Sequence, residues 1–336
     1  MSSKAEEVKG RVLGSSLAIV IVLCTVSVPV EACTGITASY GERVLVGLNE
    51  DWPSHNNFNV RFVPPREDRF GYVVFCATEL PYDDLRAGMN TEGLIVDTFL
   101  IPLTPMNETD KQVFPRNVMA MILEDCSDSG DVVSLFEQYT LWSTHSTGVW
   151  DIQFFVVDKD GDSVIISPGS DGRIAFTSKE GIYQVVTNFN PVMPELGWYP
   201  CERYNLGVGR LHRIESPENI TVDSFRRILQ WTGRERLTAY SVIFDPEVGD
   251  MWVFYNYDFE KCAELNLLDE LEDGAHSEKT SMLNMEAFVA SETQFTSSTF
   301  TISTDSGNEV AMVIVGGAIG VGIGFVVLFV AKRKIR

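Results

Sequence analysis

The sequence predicts an α+β fold in which two stacked β-sheets lie between two helical layers, with one further helix near the C-terminal end. Three observations lead there. From residue 33 to about 260, short runs rich in Val, Ile, Phe and Tyr alternate with two separate pairs of helix-like stretches. Their order is strands, two helices, strands, two helices, strands, which suits two sheets that each carry helices on one outer face. The third observation is a stretch of 22 residues without charge, Val310 to Ala331, which stands apart from the rest.

Taken in order, strands are expected at Cys33–Ser39 and, after the turn Tyr40-Gly41-Glu42, at Arg43–Asn49. Asn59–Val63, Gly71–Ala77 and Gly93–Leu100 follow, rich in Val, Phe and Tyr. Val118, Met119, Met121, Ile122 and Leu123 give Val113–Asp125 a helical period, and Asp131–Tyr139 opens on an Asp suited to cap a helix. Ile152–Asp158 and Ser163–Ser167 flank Lys159-Asp160-Gly161-Asp162, a hairpin signal. Tyr183–Asn188 reads as a strand, Cys201–Ile214 and Val222–Trp231 as helices. A last hairpin pairs Ala239–Phe244 with Met251–Tyr257. No internal repeat and no glycine-rich phosphate loop is present.

The ends suggest a membrane-tethered, outward-facing protein. Residues 1–32 have the layout of a secretory signal: Lys4, Lys9 and Arg11, then apolar residues from Val12 to Val30, then Val30-Glu31-Ala32 before the cut. An uncleaved anchor and a lipid-acceptor cysteine are the alternative readings. The body is expected over 33–270 and a Ser/Thr-rich stalk over 271–309. A transmembrane helix over 310–331, roughly 33 Å long at ~1.5 Å per residue, precedes a basic cytoplasmic tail at 332–336. The expected placement is therefore a single-pass cell-membrane protein with its body outside. Gly316, Gly320 and Gly324 share one helix face, which leaves a homo-oligomer open.

Composition narrows the function. The chain carries a net −21, and the part without signal and tail carries −25, which argues against nucleic acid as a partner. Without Cys24, which falls in the signal, Cys33, Cys76, Cys126, Cys201 and Cys262 remain, an odd number; their pairing is open. None has CxxC spacing, and His55, His145, His212 and His276 are scattered, so neither a metal nor an organic cofactor is implied.

Cys33 is the candidate nucleophile. Cleavage after Ala32 would place a thiol and a free α-amine on one residue, and an amine with a reference pKa of roughly 7.7–8.0 can take the thiol proton near neutral pH. Cys33-Thr34, with Gly47-Leu48-Asn49-Glu50-Asp51-Trp52 downstream, resembles the choloylglycine hydrolase family of N-terminal-nucleophile linear amide hydrolases. Gly88-Met89-Asn90-Thr91-Glu92-Gly93-Leu94, Val185-Val186-Thr187-Asn188-Phe189-Asn190-Pro191 and Tyr199-Pro200-Cys201-Glu202-Arg203-Tyr204 are similar to later family segments, in consistent order. The resemblance implies an αββα sandwich and an N-acyl amide hydrolase that uses a small-molecule substrate and a thioester acyl-enzyme.

By the same resemblance Cys33 is nucleophile and base, Asp51 orients its amine, Asn188 and the Asn90 N–H hold the oxyanion, and Arg203 is the remote catalytic arginine. One departure is plain: Leu48 stands where the family usually has an arginine beside the nucleophile, and Arg43, Arg61 or Arg203 are the candidates to compensate. An acyltransferase on the same fold, and a non-catalytic surface receptor or adhesion domain that kept the fold, are the alternatives. Taken singly, Asp51, Asn90 and Asn188 are most simply turn residues and Arg203 a surface ion-pair residue.

Overall fold

The computed structural model describes residues 33–52, 58–77, 84–108, 110–141 and 149–289, together with the backbone of 300–303 and 309–312. The expected signal at 1–32 lies outside the described residues. Strands β1 (Thr34–Tyr40), β2 (Arg43–Asp51), β3 (Phe58–Val63), β4 (Tyr72–Ala77), β5 (Asp84–Asn90) and β6 (Ile95–Pro105) open the body. Short β7 (Gln112–Val113), helices α1 (Val118–Asp125) and α2 (Ser129–Gln138) and short β8 (Tyr139–Thr140) follow. Then come β9 (Val149–Val157), β10 (Ser163–Pro168), β11 (Ile174–Ser178), β12 (Tyr183–Val186), α3 (Glu202–Leu211) and α4 (Val222–Thr232). β13 (Thr238–Asp245), β14 (Asp250–Tyr255), β15 (Lys261–Asn266), α5 (Leu267–Glu272), β16 (His276–Lys279) and β17 (Glu286–Ala287) complete it.

Two antiparallel sheets form, in the orders β12-β1-β2-β13-β14-β15-β17 and β11-β10-β9-β6-β5-β4-β3-β16. Strand alternation divides their side chains among three cores. Val44, Val46 and Leu48 of β2 meet Val73 and Phe75 of β4 and Phe155 and Val157 of β9 between the sheets. The intervening Val74, Phe154 and Val156 face Met119, Ile122, Leu123 and Phe136 of α1 and α2. Leu45 and Ile243 face Leu211, Phe225, Ile228 and Leu229 of α3 and α4. Side chains of period two thus feed two faces of each sheet, and the stack is helix, sheet, sheet, helix.

Local chemistry trims several expected boundaries. α1 starts at Val118 because Pro115 and the Asn117 cap, whose side chain accepts from the Ala120 N–H, precede it. α2 is capped by Asp128, which accepts from the Asp131 N–H, so Asp131 sits in the first turn instead of capping. The first residues expected in a stalk belong to the body: β16 pairs with β3, and Leu271, Leu283 and Met285 pack on the core between the sheets.

The expected membrane span is corrected. Glu309–Met312 is a strand, β19, paired antiparallel with Phe300–Ser303, β18, where a helix was expected to begin. Among the described residues no helix is long and apolar enough to cross a membrane. Residues 313–336 lie outside them. The single-pass, outward-facing placement and the membrane as a partner of a C-terminal helix are withdrawn with it.

Candidate active site

Cys33 heads β1 and is buried at one end of the core between the sheets. β1 is flanked by β2, in register Thr34 with Asn49 and Gly35 with Leu48, and by β12, so the "TN" segment that leaves β12 runs past the start of β1. Gly35 is required here: a Cβ would sit 2.6 Å from Val186 and 2.8 Å from Phe99. This close packing joins Cys33 to both flanking motifs.

Arg203, in the first turn of α3, reaches in from the helical layer. Its guanidinium donates to the Cys33 carbonyl, to Thr34 Oγ1 at 2.9 Å and to Asn188 Oδ1 at 3.1 Å. An arginine has only donors, so it must meet the oxygen of Asn188. The amide nitrogen Nδ2 is thereby turned away; it is buried and has no hydrogen-bond partner among the described residues. Gln153 of β9 donates to the Thr187 and Phe189 carbonyls at 2.6 and 3.0 Å and braces the segment from below.

Asp51 closes the other flank. Its Oδ1 accepts from Thr238 Oγ1 at 2.5 Å, whereas Oδ2 is buried without a partner. Burial pushes its carboxyl up to about 7, with the Thr238 hydrogen bond and Arg203 opposing. Its backbone N–H donates to the Cys33 sulfur. Cys33, Asp51, Asn188 and Arg203 are therefore gathered into one cluster.

Asn90 is not. Its N–H, expected to serve the oxyanion, is committed to the Leu94 carbonyl at 3.0 Å, and its side chain donates to the Leu123 and Cys126 carbonyls while accepting from the Glu92 and Leu94 N–H groups. It builds the β5–β6 turn, with Gly93 at φ +79° where a Cβ would strike the Pro246 carbonyl at 2.6 Å. The turn reading holds for Asn90, and no described contact carries it to Cys33.

Several residues of the site were not singled out in the sequence. Glu50 continues the inward row Val44–Val46–Leu48, and its Oε2 lies 3.6 Å from the Cys33 thiol. Asp97 continues the inward row of β6 between Ile95 and Phe99. Arg86 is buried, paired with Asp84 at 2.5 Å and laid over the Trp52 ring at 5.1 Å. Burial pushes the Cys33 thiol well up, and Glu50, Asp51 and Asp97 push it further. Burial does the same to Asp97, with Glu50 adding to it. For Arg86, burial favours proton loss, but Glu50 and Asp84 outweigh it and hold the cation firmly. Leu48 is buried in the apolar core; of the three compensating arginines, Arg203 reaches Cys33, and Arg43 is spent on Asp245 and the Ile220 carbonyl.

The described cysteines are buried and none is half of a disulfide. No cluster of metal-ligating residues occurs among the described residues.

An Arg→Leu variant of conjugated bile acid hydrolase from Clostridium perfringens superposes with a TM-score of 0.58 at 15% identity, over 78% of this chain and 100% of that one. Its fold is theirs. A Cys→Ala mutant of the same hydrolase gives 0.55 at 13% identity over 78% and 98%, and penicillin V acylase from Agrobacterium tumefaciens gives 0.51 at 14% over 66% and 82%. No protein-family model and no curated protein matches the sequence. The family resemblance read from the motifs thus agrees with the fold of two choloylglycine-type amide hydrolases.

Proposed function

We propose that the chain is a cysteine amidase that cleaves linear N-acyl amides once residues 1–32 are removed and Cys33 becomes the first residue. The observation that carries this reading is the Arg203 bridge, which fixes the Cys33 carbonyl and the Asn188 oxygen together and leaves Asn188 Nδ2 as an unspent donor. The partnerless Asp51 Oδ2 supports it, because a carboxylate oxygen accepts well from an ammonium or amine.

In this reading the Cys33 amine takes the thiol proton and the thiolate attacks the carbonyl carbon. Asn188 Nδ2 donates to the oxyanion. The C–N bond breaks, the ammonium returns its proton to the departing amine, and a thioester remains. Water, deprotonated by the same amine, attacks the thioester, and the acid leaves with the thiol restored. An amine in place of that water would make the product a new amide, the acyltransferase alternative.

The unprocessed thiol is held protonated by burial and its acidic neighbours, so removal of the preceding residues is also the activating step. Intact-mass analysis should find Cys33 as the unblocked first residue of active protein. Cys33→Ala should abolish turnover of an N-acyl anilide panel, and a thioester on Cys33 should be trapped by acid quench in the parent. Full activity in folded Cys33→Ala would sink the assignment.

A further inference from the structure

We propose that Arg86 is a positioning residue of the reaction: its buried guanidinium is the counter-charge that lets a Cys33 thiolate form beside Glu50 and Asp97. This deepens the amidase reading and rests on it.

The backbone is bent to bring Arg86 there. Across β4 and β5, Val74 stands opposite Gly88 but Cys76 opposite Leu85, so Phe75 alone faces both Arg86 and Ala87. The extra residue is a β-bulge, a device that re-aims a side chain. Ala87 and Met89 lie in the core between the sheets, Gly88 faces Leu123 of α1, and Leu85 belongs to the helix-side core. Strict alternation back from Met89 would turn Arg86 toward the helices; the bulge returns it to the inner face, over the Trp52 ring.

Four strands thereby gather polar groups around the sulfur: Glu50 from β2, Arg86 from β5, Asp97 from β6 and Tyr240 from β13, each at most 7% exposed. Packing does not explain them, because the core around them is apolar and burying carboxylates and a guanidinium is costly. Tyr240 keeps its proton, since burial pushes its hydroxyl well up, so it balances no charge.

The reacting sulfur does explain them. Its thiol points to Glu50 Oε2 at 3.6 Å, so proton loss sets an anion against Glu50, with Asp51 and Asp97 close by. Arg203 is held by the Cys33 carbonyl, Thr34 and Asn188, and Arg234 bears on Asp51. Among the described residues Arg86 is the cation on the sheet side. Burial favours proton loss from it, but Glu50, Asp84 and the sulfur anion hold the proton. The attraction is mutual, so Arg86 favours the thiolate in return. Asp84 takes Nη2 at 2.5 Å, whereas Nε is buried with no hydrogen-bond partner among the described residues, so Asp84 does not saturate the guanidinium.

The test uses the processed protein and reads Cys33 itself, by iodoacetamide labelling against pH with peptide mass spectrometry. Arg86→Met keeps the stem over Trp52 and removes the charge. The labelling inflection should rise by about one pH unit, a tenfold loss of thiolate at fixed pH. Arg86→Lys should restore most of it. The double variant Arg86→Met with Glu50→Gln removes both charges and should label near the parent inflection. On an N-acyl anilide, kcat/KM of Arg86→Met should fall about tenfold at neutral pH and recover at high pH with KM unchanged. An inflection unmoved in Arg86→Met, or moved as far in Arg86→Lys, overturns the proposal. Where Arg86→Met fails to fold, the double variant decides, and an inflection as low as that of Glu50→Gln alone overturns it. A shifted inflection in protein that turns over no N-acyl amide keeps the counter-charge and rejects the amidase; turnover with an unmoved inflection does the reverse.

Discussion

At the residue scale, Cys33 is surrounded by charges of the wrong sign for a reactive thiol. Glu50 at 3.6 Å, Asp51 and Asp97 all disfavour the thiolate, and the arginine bound to the cysteine, Arg203, grips its carbonyl instead of its sulfur. Glu50→Gln removes the nearest of these charges, so the thiol should ionise at lower pH. Iodoacetamide labelling of Cys33 followed by mass spectrometry across pH 6–10 should show its inflection moved down; an unmoved curve would mean that Glu50 is not felt by the sulfur. Asn188 makes a different demand. Its Oδ1 is held by Arg203 and its Nδ2 is free to donate, so Asn188→Ala should lower kcat by about 10²–10³ with KM little changed, the loss typical of one oxyanion donor. Steady-state kinetics on an N-acyl anilide measures it, and a loss confined to KM would assign Asn188 to binding alone.

At the scale of elements, what was legible followed from periodicity, and what was not came from charge inside strands. β1, β2, β4 and β9 are apolar on alternate or on all residues and read as strands directly. β5 reads Asp-Leu-Arg-Ala-Gly-Met-Asn, and nothing in that string announces that Arg86 is buried over Trp52 among carboxylates. Glu50 follows Val44, Val46 and Leu48 at the same period of two and so belongs to their inward row, but a charge at the end of an apolar row does not by itself announce burial. Asn90 could not be judged from sequence, because the fate of a backbone N–H depends on a turn that only the fold fixes. The segment after 270 reads as a stalk because it is rich in Ser and Thr without a sustained apolar period, yet Leu271, Leu283 and Met285 are spent on the core and Thr280 Oγ1 donates to the Phe58 carbonyl at 3.2 Å. Relative to a chain ended at Val289, one ended at Glu270 strips the edge strand β16 and those side chains. At ~1.5–3 kcal/mol for each buried apolar side chain, the melting temperature should fall by on the order of 10 °C. Calorimetry of both truncations decides it, and equal melting would return the segment to a mere spacer.

At the scale of the whole molecule, cleavage before Cys33 should change how stability depends on pH. In the unprocessed chain Asp51 is buried with Oδ2 unpartnered, and its carboxyl is pushed up from 3.8 to about 7. A raised acid favours the folded state in its protonated form. Its contribution is fully present below about pH 4 and is lost as pH rises through 7, a swing of roughly 4 kcal/mol at 1.36 kcal/mol per unit. Freeing the Cys33 amine would place an ammonium beside that oxygen, lower the Asp51 pKa and remove the penalty. Relative to a form that keeps a short extension before Cys33, the processed protein should gain stability between pH 4 and 7. Urea midpoints for the two forms at pH 4, 5, 6, 7 and 8 make the comparison, with Asp51→Asn in each as the control that flattens the difference. If the two curves run parallel, the new amino terminus does not sit against Asp51, and the coupling between cleavage and catalytic charge is wrong.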